Sequence, residues 1–153
     1  MATLKIRWER LISEGQTCPR CQGTEAQLEE ANRTLRQALA PLGVDVEVEK
    51  VPLSPEEFAR DPLRSNRILV NDEPLEHWLG GQTGQSPCCD VCGPAECRTL
   101  ERNGEMHEVI PADLIVEAGL LAALGRAPYR AAASCCSPSA AEPAGGGCCS
   151  CSC

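Results

Sequence analysis

Aromatic side chains are scarce in this chain: Trp8, Trp78, Tyr129 and Phe58 are all it has among 153 residues. Its core must therefore be built from Leu, Val, Ile and Ala. Basic charge is also short, with 14 Lys and Arg against 22 Asp and Glu and a net charge of −8. With no basic stripe to release phosphate counterions, a nucleic-acid partner is excluded, and the acidic excess serves solubility. No stretch approaches the ~20 apolar residues of a membrane span, so no membrane partner is expected. Met1 to Leu11 alternates charged with apolar residues and lacks the apolar run of a signal peptide. A cytoplasmic protein is expected on these grounds. There is also no Ser–His–Asp set, phosphate loop or paired-carboxylate site, and no nucleotide cofactor is expected.

What the chain does have is cysteine, twelve in three groups. The first is Cys18-Pro19-Arg20-Cys21. The second is Cys88, Cys89, Cys92 and Cys97, within ten residues. The third is Cys135, Cys136, Cys148, Cys149, Cys151 and Cys153, within the last nineteen residues. A disulfide-stapled secreted domain would spread its cysteines, yet residues 22 to 87 contain none. In a reducing compartment such groups read as catalytic or metal-binding.

Leu4, Ile6 and Trp8 alternate with Lys5, Arg7 and Glu9, which predicts a strand with one buried face. Leu28, Ala31, Leu35, Ala38 and Leu42 recur at helical spacing. Thr24 with Gln27 matches a capping box, or the helix starts earlier, at the cysteines. Val44, Val46 and Val48 predict a second strand, parallel to the first through a right-handed crossover. Ser54-Pro55-Glu56-Glu57 opens a short helix. Ile68 to Val70 is a third strand, Asn71-Asp72 a turn, and Glu73 to Trp78 a fourth strand or short helix. Gly80 to Pro87 reads as a loop. Asn103-Gly104 marks a hairpin. Pro111 starts a last helix with Leu114, Ile115, Ala118, Leu121 and Ala122 on its buried face, ended by Gly125 and Pro128.

The fold class is thus α/β, with the C-x-x-C between the first strand and first helix of a βαβ unit, which is the thioredoxin-like arrangement. We divide the chain into a thioredoxin-like domain over 1–130, carrying a cysteine-rich insertion over 80–109, and a flexible tail over 131–153. Ala, Ser, Gly, Pro and Cys make up that tail apart from Glu142, too little apolar surface to offset ordering entropy. An arm of ~20 residues reaches roughly 25 Å, at a local thiol concentration on the order of millimolar. Its six thiols suit a shuttle that captures a soft ion or a disulfide.

Helix N-termini favour thiolate, so Cys18 is the expected attacking sulfur and Cys21, one turn inward, the resolving one. Four thiols at the density of the second group suit tetrahedral zinc with Zn–S near ~2.3 Å, or another soft metal or metalloid ion. His77 and His107 could add nitrogen ligands, but read more simply as surface or hairpin residues.

Residues 1 to about 125 resemble a group of small bacterial and archaeal thioredoxin-like proteins known as a domain of unknown function. The resemblance rests on Cys18-Pro19-Arg20-Cys21, on Ser65-Asn66-Arg67-Ile68-Leu69-Val70-Asn71, on Pro74-Leu75-Glu76, on Cys88-Cys89 with Cys92 and Cys97-Arg98-Thr99, and on the helix from Ile110-Pro111. It implies a thioredoxin-like fold with an added cysteine segment and no established activity. Ordinary thioredoxins place a cis-proline before the third strand; here that stretch is Ser65-Asn66-Arg67-Ile68. The missing proline weakens a disulfide-reductase reading and eases binding of a soft ion.

Three functions follow. The first is a thiol protein that binds or transfers soft metal or metalloid ions. The second is an enzyme, a thiol–disulfide oxidoreductase using Cys18 and Cys21 with a protein thiol or disulfide as partner and relay to the later cysteines. The third is a zinc-stabilised interaction domain without turnover.

Overall fold

The computed structural model describes residues 2–87, 93–126 and 128. Strand β1 (Ala2–Leu11) pairs in parallel with β2 (Val44–Leu53), in register from Ala2 opposite Val44 to Leu11 opposite Leu53. The crossover is helix α1 (Pro19–Leu39), followed by a 3-10 turn over Ala40–Leu42 and by Gly43, whose φ of +67° lets the chain reverse into β2. Strand β3 (Arg67–Val70) runs antiparallel to β1, and the two-residue β4 (Glu73–Pro74) antiparallel to β3. Asn71 and Asp72, both at positive φ, make the tight connection, as two-residue hairpin turns require. The sheet order is β2-β1-β3-β4. Order and directions are those of a mixed α/β sheet, consistent with a thioredoxin-like fold.

Alternation in β1 buries Leu4, Ile6 and Trp8 on one face. Leu28, Ala31, Leu35 and Leu39 of α1 pack into the same cluster, with Ile115 and Ala118 of α4 (Ala112–Ala123). Two expected core positions are corrected here. Ala38 is exposed, and Leu42 is 62% exposed. The helix ends at Leu39, and the tighter 3-10 turn rotates Leu42 outward, so Leu39 fills the core. On α4, Gly119 is buried where Leu114, Leu121 and Ala122 are only partly so. A Cβ on Gly119 would lie 2.8 Å from the Leu35 side chain and 3.2 Å from Leu4. Helix α4 can lie this close to α1 and β1 only because that position has no side chain.

Helix α2 (Pro55–Arg60) carries the expected start signal: Ser54 Oγ accepts from the Glu57 amide, and Glu57 reaches back to the Ser54 amide. After α3 (Leu75–Leu79), the stretch read as a loop is strand β5 (Gln82–Pro87). It pairs antiparallel with β6 (Glu96–Arg102), which pairs with β7 (Glu105–His107). Asn103 and Gly104, both at positive φ, close the β6–β7 hairpin.

Two arginines fasten this second sheet to the first unit. Arg98 donates to Glu76, to the Leu63 carbonyl and to Thr83 Oγ1. Arg102 grips Glu117 of α4 through two bonds of 2.6 and 2.8 Å. Among the described residues no helix is long and apolar enough to cross a membrane.

Candidate functional site

Helix α1 begins at the cysteines. Cys18 is its N-cap, with extended backbone (φ −74°, ψ 159°), and Pro19 is the first helical residue. Proline suits that position because its missing N–H would have no intrahelical acceptor there. The Cys18 carbonyl accepts the Gln22 amide at 3.0 Å, and Cys21 enters the core one turn on. Cys18 and Cys21 are each 1% exposed, and neither is in a disulfide. The Cys21 thiol hydrogen-bonds with Cys18. That bond first, and burial second, hold its pKa far above the ordinary cysteine range; hydroxyls of Ser65 and Thr17 pull the other way.

The capping box read into Thr24 and Gln27 does not exist. Both lie inside α1 and reach across to the start of α4 instead. Thr24 Oγ1 accepts the Ile110 amide at 3.2 Å, and Gln27 Oε1 accepts the Ala112 amide at 2.9 Å. Two amide donors at the entrance to α4, of the kind that helix starts leave over, are thus satisfied by the helix that carries the cysteines.

Against Cys21 lies Ser65, just ahead of β3, with Asn66 next to it in the chain. Among the described residues no peptide bond is cis. Ser65 is fully buried; its Oγ accepts the Leu11 amide at 3.0 Å and lies 3.8 Å from Cys21 Sγ. Asn66 is 1% exposed and sits at φ +66°. Its Oδ1 accepts from Trp8 Nε1, and its Nδ2 donates to the Glu108 carbonyl at 3.0 Å.

Arg20, between the two cysteines, has a side chain only 9% exposed. Its Nη2 donates to Ser86 Oγ at 2.9 Å and to the Pro87 carbonyl at 3.0 Å, and pairs with Glu108 at 3.0 Å. Ser86 in turn donates to Glu108 at 2.8 Å. The C-x-x-C loop is therefore clamped to the end of β5, one residue before Cys88 in sequence. Cys97, opposite Ser86 in the ladder, is 1% exposed and belongs to the same apolar cluster as Cys18 and Cys21.

Of the expected metal-binding thiols, Cys88, Cys89 and Cys92 lie outside the described residues, as do Cys135, Cys136, Cys148, Cys149, Cys151 and Cys153 and the expected tail. Among the described residues no three Cys, His, Asp or Glu side chains are grouped to hold one ion. His77 pairs with Glu73 beside α3, and His107 lies on β7, 3.9 Å from Glu105.

The reading of the sequence did not find Ser65 as the neighbour of Cys21, or Ser86 and Glu108 as the partners of Arg20. The Ser65-Asn66 pair was visible as part of a motif, but its role depends on where β3 begins.

The chain matches the family described as "Domain of unknown function (DUF2703)" over residues 4–119. It belongs to that family. It is also 48% identical over 112 residues to an uncharacterized protein of Archaeoglobus fulgidus, an alignment covering 73% of this chain and 82% of the relative. No solved structure matches it. The matched span takes in Cys18, Cys21, Ser65 and the whole second cysteine group, and stops before the tail cysteines.

Proposed function

We propose that this chain is a thioredoxin-like dithiol protein whose Cys18 and Cys21 carry out thiol–disulfide exchange. One observation carries the reading: Cys18 caps a 21-residue helix and Cys21 lies one turn inward on the same helix, with both side chains buried. The pair is asymmetric in the way two-step exchange needs. Cys18 has the helix N-terminus, where amide dipoles favour negative charge. Cys21 keeps its proton until needed. Cys18 thiolate attacks a disulfide and forms a mixed disulfide, releasing one thiolate. Cys21 then loses its proton and attacks Cys18 sulfur, closing the Cys18–Cys21 bond and releasing the second thiolate. Two electrons pass to the substrate disulfide.

The test is reaction with glutathione disulfide, read by mass spectrometry of cysteine peptides. Cys21→Ser should accumulate glutathione on Cys18, Cys18→Ser should leave Cys21 unmodified, and the unaltered chain should form the Cys18–Cys21 bond. Equal modification of Cys18 and Cys21 in all three would sink the reading.

A second reading, binding of zinc or another soft metal or metalloid ion by Cys88, Cys89, Cys92 and Cys97, draws support from Cys97. It is a buried thiol, the last of that group in sequence, and the density of thiols suits a thiophilic ion. Native mass spectrometry of chain purified without oxygen tests it. An ion retained by the unaltered chain and by a form stopped after Arg130, but lost in Cys97→Ser, supports this reading. An ion-free chain in both forms rejects it.

A further inference from the structure

Building on the dithiol reading, we propose that Ser65 is the positioning residue of the second step: its hydroxyl donates to Cys21 sulfur and readies it to attack Cys18. Ser65 has little freedom. It is fully buried, and its amide donates to the Pro62 carbonyl at 3.2 Å. A serine hydroxyl has one proton and two lone pairs. The Leu11 N–H, at the end of β1, fills one lone pair at 3.0 Å. Cys21 Sγ lies 3.8 Å from the hydroxyl; while Cys21 keeps its proton either atom can donate, and once it is a thiolate only Ser65 can.

The surroundings give this bond weight. Cys18 and burial hold the Cys21 thiol up, and the Ser65 and Thr17 hydroxyls pull it down. The proton leaving Cys21 goes to water or to the thiolate released in the first step. What the site can do is lower the cost of the thiolate left behind, and a hydroxyl donor does that. In the second step the Cys21 S–H bond breaks, the Cys21–Cys18 bond forms, and the mixed disulfide breaks to release substrate thiolate. Ser65 gains and loses nothing, so it acts through Cys21 alone.

The experiment uses the reduced full chain with cysteine labelled at 13Cβ, and follows Cys21 across pH in a Cys18→Ser background. Removing a hydrogen bond to a charged group should raise the Cys21 midpoint by about one pH unit in Ser65→Ala. Ser65→Thr keeps the hydroxyl and should restore it. With Cys18 present and glutathione disulfide as probe, Ser65→Ala should form the Cys18 mixed disulfide at the unaltered rate and resolve it about tenfold more slowly. Superimposable titrations of Ser65→Ala and Ser65 chains overturn the proposal.

Because Ser65→Ala also strands the Leu11 amide, a second measurement needs no variant. In the unaltered chain the Ser65 hydroxyl proton should exchange slowly and show a nuclear Overhauser effect to the Cys21 β-protons; a hydroxyl aimed elsewhere overturns the proposal. If glutathione disulfide leaves Cys18 untouched while the titrations differ, the exchange reading fails and the Ser65–Cys21 bond stands.

Discussion

Trp8 and Asn66 meet across the boundary between sheet and site: the indole Nε1–H donates to Asn66 Oδ1 at 3.3 Å, with both side chains buried. Asn66 also donates from Nδ2 to the Glu108 carbonyl. It holds a left-handed backbone that asparagine tolerates and alanine does not. Asn66→Ala should therefore destabilise the fold by about 2–4 kcal/mol, from backbone strain plus two lost hydrogen bonds. Asn66→Gly loses the same bonds without the strain and should cost about 1 kcal/mol less. Urea denaturation of both variants checks the order; equal losses would show that the backbone conformation carries no weight.

Arg20, in the C-x-x-C loop, pairs with Glu108. Arg20→Met deletes bonds to Ser86, Pro87 and Glu108 together while keeping a chain of similar length. Iodoacetamide labelling of Cys18, mapped by peptide mass spectrometry, should then accelerate by about tenfold or more, through easier local opening. Glu108→Gln should act in the same direction and more weakly. Unchanged labelling would mean that the clamp does not govern access to the sulfur.

The close approach at Gly119 makes a packing prediction. Gly119→Ala gains helix propensity of about 1 kcal/mol, but its Cβ meets the buried Leu35 side chain at 2.8 Å. Overpacking typically costs about 1–3 kcal/mol, so a net loss of stability is expected. Adding Leu35→Val should recover part of it. Thermal melts of the two single variants and the double variant would show this as a favourable coupling.

The Arg102–Glu117 pair should make stability depend on pH. The Arg102 hydrogen bond holds the Glu117 carboxyl below its ordinary range, opposed by partial burial. A depressed folded-state pKa adds stability that is present above the ordinary carboxylate pKa of about 4.3 and is lost as pH falls through the lower, folded value. With Glu117 43% exposed, solvent screening keeps the contribution to roughly 1 kcal/mol or less. Glu117→Gln should therefore lower the melting temperature at pH 7 and match the unaltered chain once pH falls below the folded pKa. High salt should narrow the gap at pH 7. A difference that persists in acid would assign the effect to packing.

Much of the first unit was legible because its signals are local. Period-two alternation marks β1 and β2, helical spacing marks α1, and Asn71-Asp72 and Asn103-Gly104 announce turns whose positive φ values the structure shows. Strand β5 was not legible. Gln82-Thr83-Gly84-Gln85-Ser86-Pro87 has no apolar alternation, and it is a strand because β6 offers it a ladder. Thr24 and Gln27 mislead for a related reason. Their spacing is that of a capping box, yet the amides they serve lie just before and at the start of α4, more than eighty residues away. The dithiol could be placed on its helix from the sequence, while its surroundings depend on contacts between residues 44 to 88 positions apart.

Among the described residues β2 stands at the rim of the sheet, with β1 as its one hydrogen-bonded neighbour. A ten-residue rim strand invites another chain to add to it. On this one, Asp45, Glu47 and Glu49 line the exposed side, Pro52 stands near the end, and Arg36 already occupies the Val46 carbonyl. Two copies meeting there would set carboxylates against carboxylates. That acidity thus opposes strand-to-strand aggregation, and high salt should weaken the protection.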